Sequence, residues 1–219
     1  MASLKRNNVN RRKFDRRPID VDDLTSASSF SGIRDVIESH FSKPEAPEDS
    51  AFETDPSRLQ YAWEPKEVPV SVRLDAELID RLEKESIEIF RAITNRGSEI
   101  GGILLGRVFP GKRLIVVAEA YEPIPCAYDL GPSYVLTEEE QQSARDAVEA
   151  KKAESGLTVV GFFRSNTRAT LEITEDDLAL FDLLFPEEHN IALLAKPYSR
   201  KPCQGAIFVR ESGEVRSET

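Results

Sequence analysis

The stretch Gly161 to Asp177, GFFRSNTRATLEITEDD, decides how this chain is read. Its first residues close a short apolar run, Leu157 to Phe163, that has the length and composition of a buried strand. Its last residues open a helix over Glu175 to Phe185. Thr174 sits three residues before Asp177, the spacing of a capping box in which hydroxyl and carboxylate satisfy each other's backbone N–H groups. Arg164 and Asn166 stand between strand and helix, so the full pattern is Arg-x-Asn, seven residues, Thr-x-x-Asp. Upstream, Glu99 opens the apolar segment of SEIGGILLGR, Ser98 to Arg107.

Together these residues resemble the motif of the MPN/JAMM (Mov34/JAB-like) family of zinc-dependent isopeptidases. That motif has a glutamate on an early strand, then His-x-His, seven residues and Ser-x-x-Asp. Glu99 matches the glutamate, Arg164 and Asn166 fall on the two histidines, Thr174 on the serine and Asp177 on the aspartate. Three parts carry the resemblance, EIGGILLGR, VVGFFRS and the T-x-x-D helix start, and it covers about Val68 to Arg210. It implies an α/β (α+β) fold, an MPN-like, cytidine-deaminase-like mixed sheet flanked by helices. It also implies metal ligands at positions 164, 166 and 177, with Glu99 as the base.

The residue types contradict that last implication. A catalytic zinc ion takes three protein ligands and a water whose pKa it lowers to about 7. Arg164 is a permanent cation with no lone pair to give. Asn166 offers a neutral carbonyl oxygen, which suits calcium or magnesium better than zinc. Only Asp177 is a competent ligand. The chain has two histidines, His40 and His189, and neither occupies a motif position. His189, after Glu187 and Glu188 near a helix end, reads as a solvated imidazole. Cys126, in EPIPCAYD, has no positive neighbours that would lower a thiol pKa, which argues against a cysteine nucleophile paired with His189.

The resemblance therefore implies a degenerate, non-catalytic MPN-like domain with no catalytic residue, metal or cofactor. Such a domain acts as a protein-binding scaffold, with another MPN-domain protein or a second copy of the chain as partner. The alternative is a divergent JAMM-type metallopeptidase or isopeptidase that uses Glu99, Asn166, Asp177 and an ion other than zinc. Within the site two readings stand open. Glu99 and Asp177 are a strand-edge carboxylate and a helix cap, or Arg164 replaces the cation and bridges them.

Outside this stretch the pattern is mixed. Val68 to Leu74 alternates as a strand, and Ala76 to Ile93 has helical periodicity with Asp75 as N-cap. Ile100 to Phe109 and Leu114 to Tyr121 form a hairpin about Pro110-Gly111. The proline-rich Glu122 to Ser133 reads as a loop, and Thr137 with Glu140 caps a polar helix reaching about Lys152. Ile191 to Ala195 and Gly205 to Val209 read as closing strands. The expected domain spans 67–212.

Residues 1–63 are polar and rich in Ser, Pro and Asp, too poor in apolar surface to offset chain entropy, and so are expected to be disordered, as are residues 213–219. Phe30, Ile33, Val36, Ile37 and Phe41 recur at helical spacing, which reads either as a transient helix or as a docking motif. A basic arm, Lys5 to Arg17, precedes an acidic segment through Asp55. The arm could contact nucleic acid or an anionic membrane, or be neutralised by those acids.

The net charge of -10 among 219 residues argues against a general nucleic-acid binder. A charged fraction of 31% and a mean hydropathy of -0.39, with no long apolar run, argue against a membrane span. The absence of an apolar stretch after the basic arm argues against a secretory signal, so the expected location is cytoplasmic. Cys126 and Cys203 are expected to be reduced thiols.

Overall fold

In the computed structural model the described residues are 58–66, 68–92, 98–211 and 214–216. They form β1 (Gln60–Trp63), β2 (Val70–Asp75), α1 (Ala76–Ala92), β3 (Gly101–Phe109) and β4 (Leu114–Pro123). Then follow α2 (Glu138–Ala153), β5 (Thr158–Ser165), α3 (Glu175–Leu184), β6 (Ile191–Lys196), β7 (Gln204–Glu211) and β8 (Glu214–Arg216). One mixed sheet holds all eight strands in the order β1-β2-β4-β3-β5-β6-β7-β8. The pairs β2 with β4 and β5 with β6 are parallel, and the remaining pairs are antiparallel.

The sheet is covered on both faces because its central strands bury successive residues in opposite directions. Leu104, Phe163, Leu193 and Ile207 join Leu78, Ile79 and Leu82 of α1 in one core. Ile103, Phe162, Leu194 and Phe208 join Ala144 and Val148 of α2 and Leu180, Phe181 and Leu184 of α3 in the other. Val159 and Phe162 of β5 face α2 and α3 while Val160 and Phe163 face α1, the parity switching at the register shift beside Gly161, so Arg164, two residues beyond Phe162, falls on the α3 side. Gly161 lets β5 and β6 close up, since a Cβ there would fall on the Ile191 carbonyl oxygen.

The helix starts follow local chemistry. Asp75 Oδ1 accepts from Glu77 N at 2.9 Å at the start of α1, and both Thr137 and Thr174 form complete capping boxes. The expected mixed α and β architecture is present, with two corrections at its margins. The segment expected to be disordered through Trp63 contributes β1, paired antiparallel with β2. The C-terminal segment expected to be disordered from 213 contributes β8, paired with β7. Both strands are short, and each is held by backbone pairing to a sheet edge, which leaves no periodic signature in the side chains. Despite its alternation, β2 has no exposed face: Ser71 and Arg73 are buried as well. Glu64 accepts from both of them. The helical pattern at Phe30 to Phe41 and the basic arm lie outside the described residues.

Candidate functional site

β5 ends with Arg164 on the α3 side of the sheet, opposite Gly101 of β3 and Leu194 of β6. Ser165 ties the end of β5 to the start of β3. Its N–H donates to Ile100 O at 2.8 Å, and its Oγ accepts from Ile100 N at 2.8 Å. That tie sets Glu99 beside Arg164, and the capping box at Thr174 sets Asp177 on the other side.

Arg164 bridges the two acids. Its Nη2 donates to Glu99 Oε2 at 2.7 Å, and its Nη1 pairs with Asp177 Oδ1. All three side chains are buried, with exposures of 1% for Arg164, 0% for Glu99 and 3% for Asp177. Both sequence readings meet at Asp177, which caps its helix and also pairs with Arg164, whereas Glu99 is bridged by the arginine. The carboxylates have their other oxygens taken as well. Glu99 Oε1 accepts from Thr167 N at 2.8 Å and Thr167 Oγ1 at 2.9 Å. Glu99 Oε2 also accepts from Tyr134 N at 2.9 Å. Asp177 Oδ2 accepts from Thr174 N at 2.9 Å and Thr174 Oγ1 at 2.7 Å. Among the described residues of this cluster, the side-chain atom without a hydrogen bond is Arg164 Nε.

Burial pushes the Glu99 carboxyl up. The Arg164 guanidinium and the N–H donors of Thr167 and Tyr134 outweigh burial and hold it below its ordinary 4.5. Glu99 is therefore an anion locked in four contacts, not a base poised near neutrality.

Asn166 is buried too, but it serves the loop after β5. Its N–H donates to Ala195 O at 2.7 Å, its Oδ1 accepts from Arg168 N at 2.8 Å, and its Nδ2 donates to Thr170 O at 3.4 Å. Its amide oxygen is thus committed to a backbone turn. The zinc ion that the resemblance implies does not fit these residues. A guanidinium lies between the two carboxylates, and the Asn166 oxygen already has a donor. Among the described residues, no group of three His, Cys, Asp or Glu side chains is arranged to hold a metal ion.

The other candidates lie apart. His189 is half-buried with Nε2 3.4 Å from Val159 O, near the start of β5 and not the end that carries Arg164. Cys126 and Cys203 are both free thiols. Burial and Glu140 push the Cys126 thiol up, and burial and Glu83 push Cys203 up to about 12. His40 lies outside the described residues. Three members of the cluster had gone unmarked: Thr167, Tyr134 and Tyr128, whose hydroxyl donates to Glu99 O at 2.7 Å. Thr167 adjoins the motif and was findable there. The two tyrosines come from a loop without periodicity.

No protein-family model and no curated protein matches the chain. Solved structures do. One is the solution structure of protein DSY2949 from Desulfitobacterium hafniense, 16% identical, with a TM-score of 0.45 and covering 68% of this chain and 89% of its own. Another is the solution structure of a protein from Salinibacter ruber, 17% identical, with a TM-score of 0.40 and covering 67% of this chain and 88% of its own. Among the described residues no helix is long and apolar enough to cross a membrane.

Proposed function

We propose that this chain is an MPN-like domain that has exchanged its metal for an arginine and works as a non-catalytic, protein-binding scaffold. One observation carries the reading: the residues at the motif positions 99, 164 and 177 meet in a single buried cluster, and the residue between the two acids is a cation. A pocket built around a positive charge keeps its acids only if something positive remains, because two buried carboxylates alone repel each other. Arg164 supplies that charge without supplying a Lewis acid or an activated water. The cluster then serves to hold β3, β5 and α3 in register, leaving function to surfaces.

Affinity capture with the full chain in extract of the source cells, followed by purification of any captured protein and titration of the pure pair, tests the scaffold reading. A saturable one-to-one complex is expected. The same preparation is to be assayed for peptide and isopeptide hydrolysis with added zinc, magnesium or calcium. Hydrolysis that disappears in the Glu99→Gln variant would overturn the reading.

A further inference from the structure

In a chain with a net charge of -10, one end of the sheet is crowded with cations. Arg91 closes α1 and donates to Ser199 O at 2.9 Å. Lys196 donates to Ala169 O, next to Arg168. Lys196 and Lys201 lie over the same Tyr198 ring, 5.6 and 3.8 Å from its centroid, and Arg200 lies between Tyr198 and Lys201 in the sequence. Arg91, Arg168, Arg200 and Lys201 are exposed and Lys196 is half-buried. None of the five forms an ion pair with a described residue, although Arg58, Arg73, Arg81, Arg107 and Arg210 elsewhere all do. The exposed acids nearest in sequence on these elements, Glu88 and Glu172, form no ion pair with the cluster among the described residues; Glu172 accepts from Thr170 Oγ1 at 3.2 Å. Arg91, Lys196 and Lys201 are held there by backbone contacts and the Tyr198 ring, with Arg168 and Arg200 adjoining them in the sequence, and like charges so placed attract an anionic partner.

We infer that this basic end is the docking surface for the chain's own acidic segment, residues 45–55. Glu45, Glu48, Asp49, Glu53 and Asp55 occur with no Lys or Arg between Lys43 and Arg58, and the three farthest from the fold, Glu45, Glu48 and Asp49, are the ones that face the cations. The reach suffices. The described fold begins at Arg58, beside the start of α1, where Ala76 N donates to Leu59 O at 3.0 Å. The basic cluster sits at the other end of that helix, whose 17 residues span about 25 Å at 1.5 Å per residue. Asp49 lies nine chain steps before Arg58, and nine extended steps cover about 30 Å. A tether this short holds the acids at a millimolar effective concentration at the cluster. The rival intramolecular partner is the arm Lys5 to Arg17. The inference is independent of the scaffold reading, because it uses no residue of the Arg164 cluster.

Carbodiimide cross-linking of the full chain, which joins lysine amines directly to carboxylates, tests it by peptide mass spectrometry. The Lys151–Glu122 pair, 2.8 Å apart, is the internal positive control. Expected are links from Lys196 or Lys201 to Glu45, Glu48 or Asp49, with a yield unchanged on dilution. That yield should fall about fivefold or more between 20 mM and 0.5 M salt, where screening shortens to a few ångströms. It should vanish in the full-length variant Glu45→Gln, Glu48→Gln, Asp49→Asn. Three results would overturn the inference: links of these acids to Lys5 or Lys13 instead, links to Lys196 and Lys201 that weaken on dilution and so come from a second copy, or no such links while the control pair reacts.

Discussion

Replacing Arg164 with Met removes the cation while keeping most of its volume, and the cost follows from what is left behind. Glu99 would keep its bonds from Thr167 N, Thr167 Oγ1 and Tyr134 N, and Asp177 its bonds from Thr174, but each loses its charged partner. Breaking a buried pair by deleting one member costs about 3–5 kcal/mol, because the remaining charge stays buried. The unbonded Nε, whose burial costs about 1–3 kcal/mol, disappears at the same time, so the low end, about 3 kcal/mol, is expected. Native stabilities of about 5–15 kcal/mol leave the variant folded. The loss also depends on pH. In the native chain Glu99 sits below its ordinary pKa, so its contribution is full above about 4.5 and is lost as pH falls through the lower folded value. In Arg164→Met, burial is no longer opposed by the guanidinium, Glu99 titrates higher, and protonation relieves the variant as pH drops. Urea denaturation followed by circular dichroism and by Trp63, the single tryptophan, reads both effects. A loss below about 1 kcal/mol, or one equal at pH 7 and pH 4, would refute the reasoning.

Three further outcomes are expected. Glu83 is buried on α1 and accepts from Cys203 N at 2.9 Å, and burial raises its pKa above 4.5. Its charged form is therefore a liability that grows as pH rises from 4.5 through the folded pKa. Glu83→Gln should match or exceed the native urea midpoint at pH 7 and lose that advantage below pH 4.5. Native labelling with a thiol reagent at pH 8 should modify half-buried Cys126 well before fully buried Cys203, whose thiol is pushed up to about 12, and denaturation should equalise them. Gly161→Ala should cost about 2 kcal/mol or more by denaturation, because its Cβ would collide with the Ile191 backbone and part β5 from β6.

The sequence carried most of the elements because their signals are local. Asp75, Thr137 and Thr174 announce helix starts through their own side chains, and Pro110-Gly111 announces the turn between β3 and β4. Strand β5 reads as ending at Phe163 but runs to Ser165, because a charged residue such as Arg164 marks a strand end only when it is not itself paired. The short edges β1 and β8 are specified by the neighbours they pair with. The site was legible in part for the same reason. The spacing of Arg164, Thr174 and Asp177 is local, and Glu99 entered through resemblance. Asn166 was read as a member of the site, whereas its amide is occupied by Arg168 N and Thr170 O of its own turn. Tyr134 and Tyr128 reach Glu99 from a loop more than two dozen residues away, and nothing in their surroundings announces a contact.

Zinc content of the full chain after equilibration with excess zinc and desalting tests most directly whether Arg164 has taken the place of a metal. The expected result is under about 0.1 equivalent of zinc and an unchanged urea midpoint, since a ligand bound only to the folded state would raise it. About one equivalent of zinc per chain, with a raised midpoint and loss of both in Asp177→Ala, would contradict it.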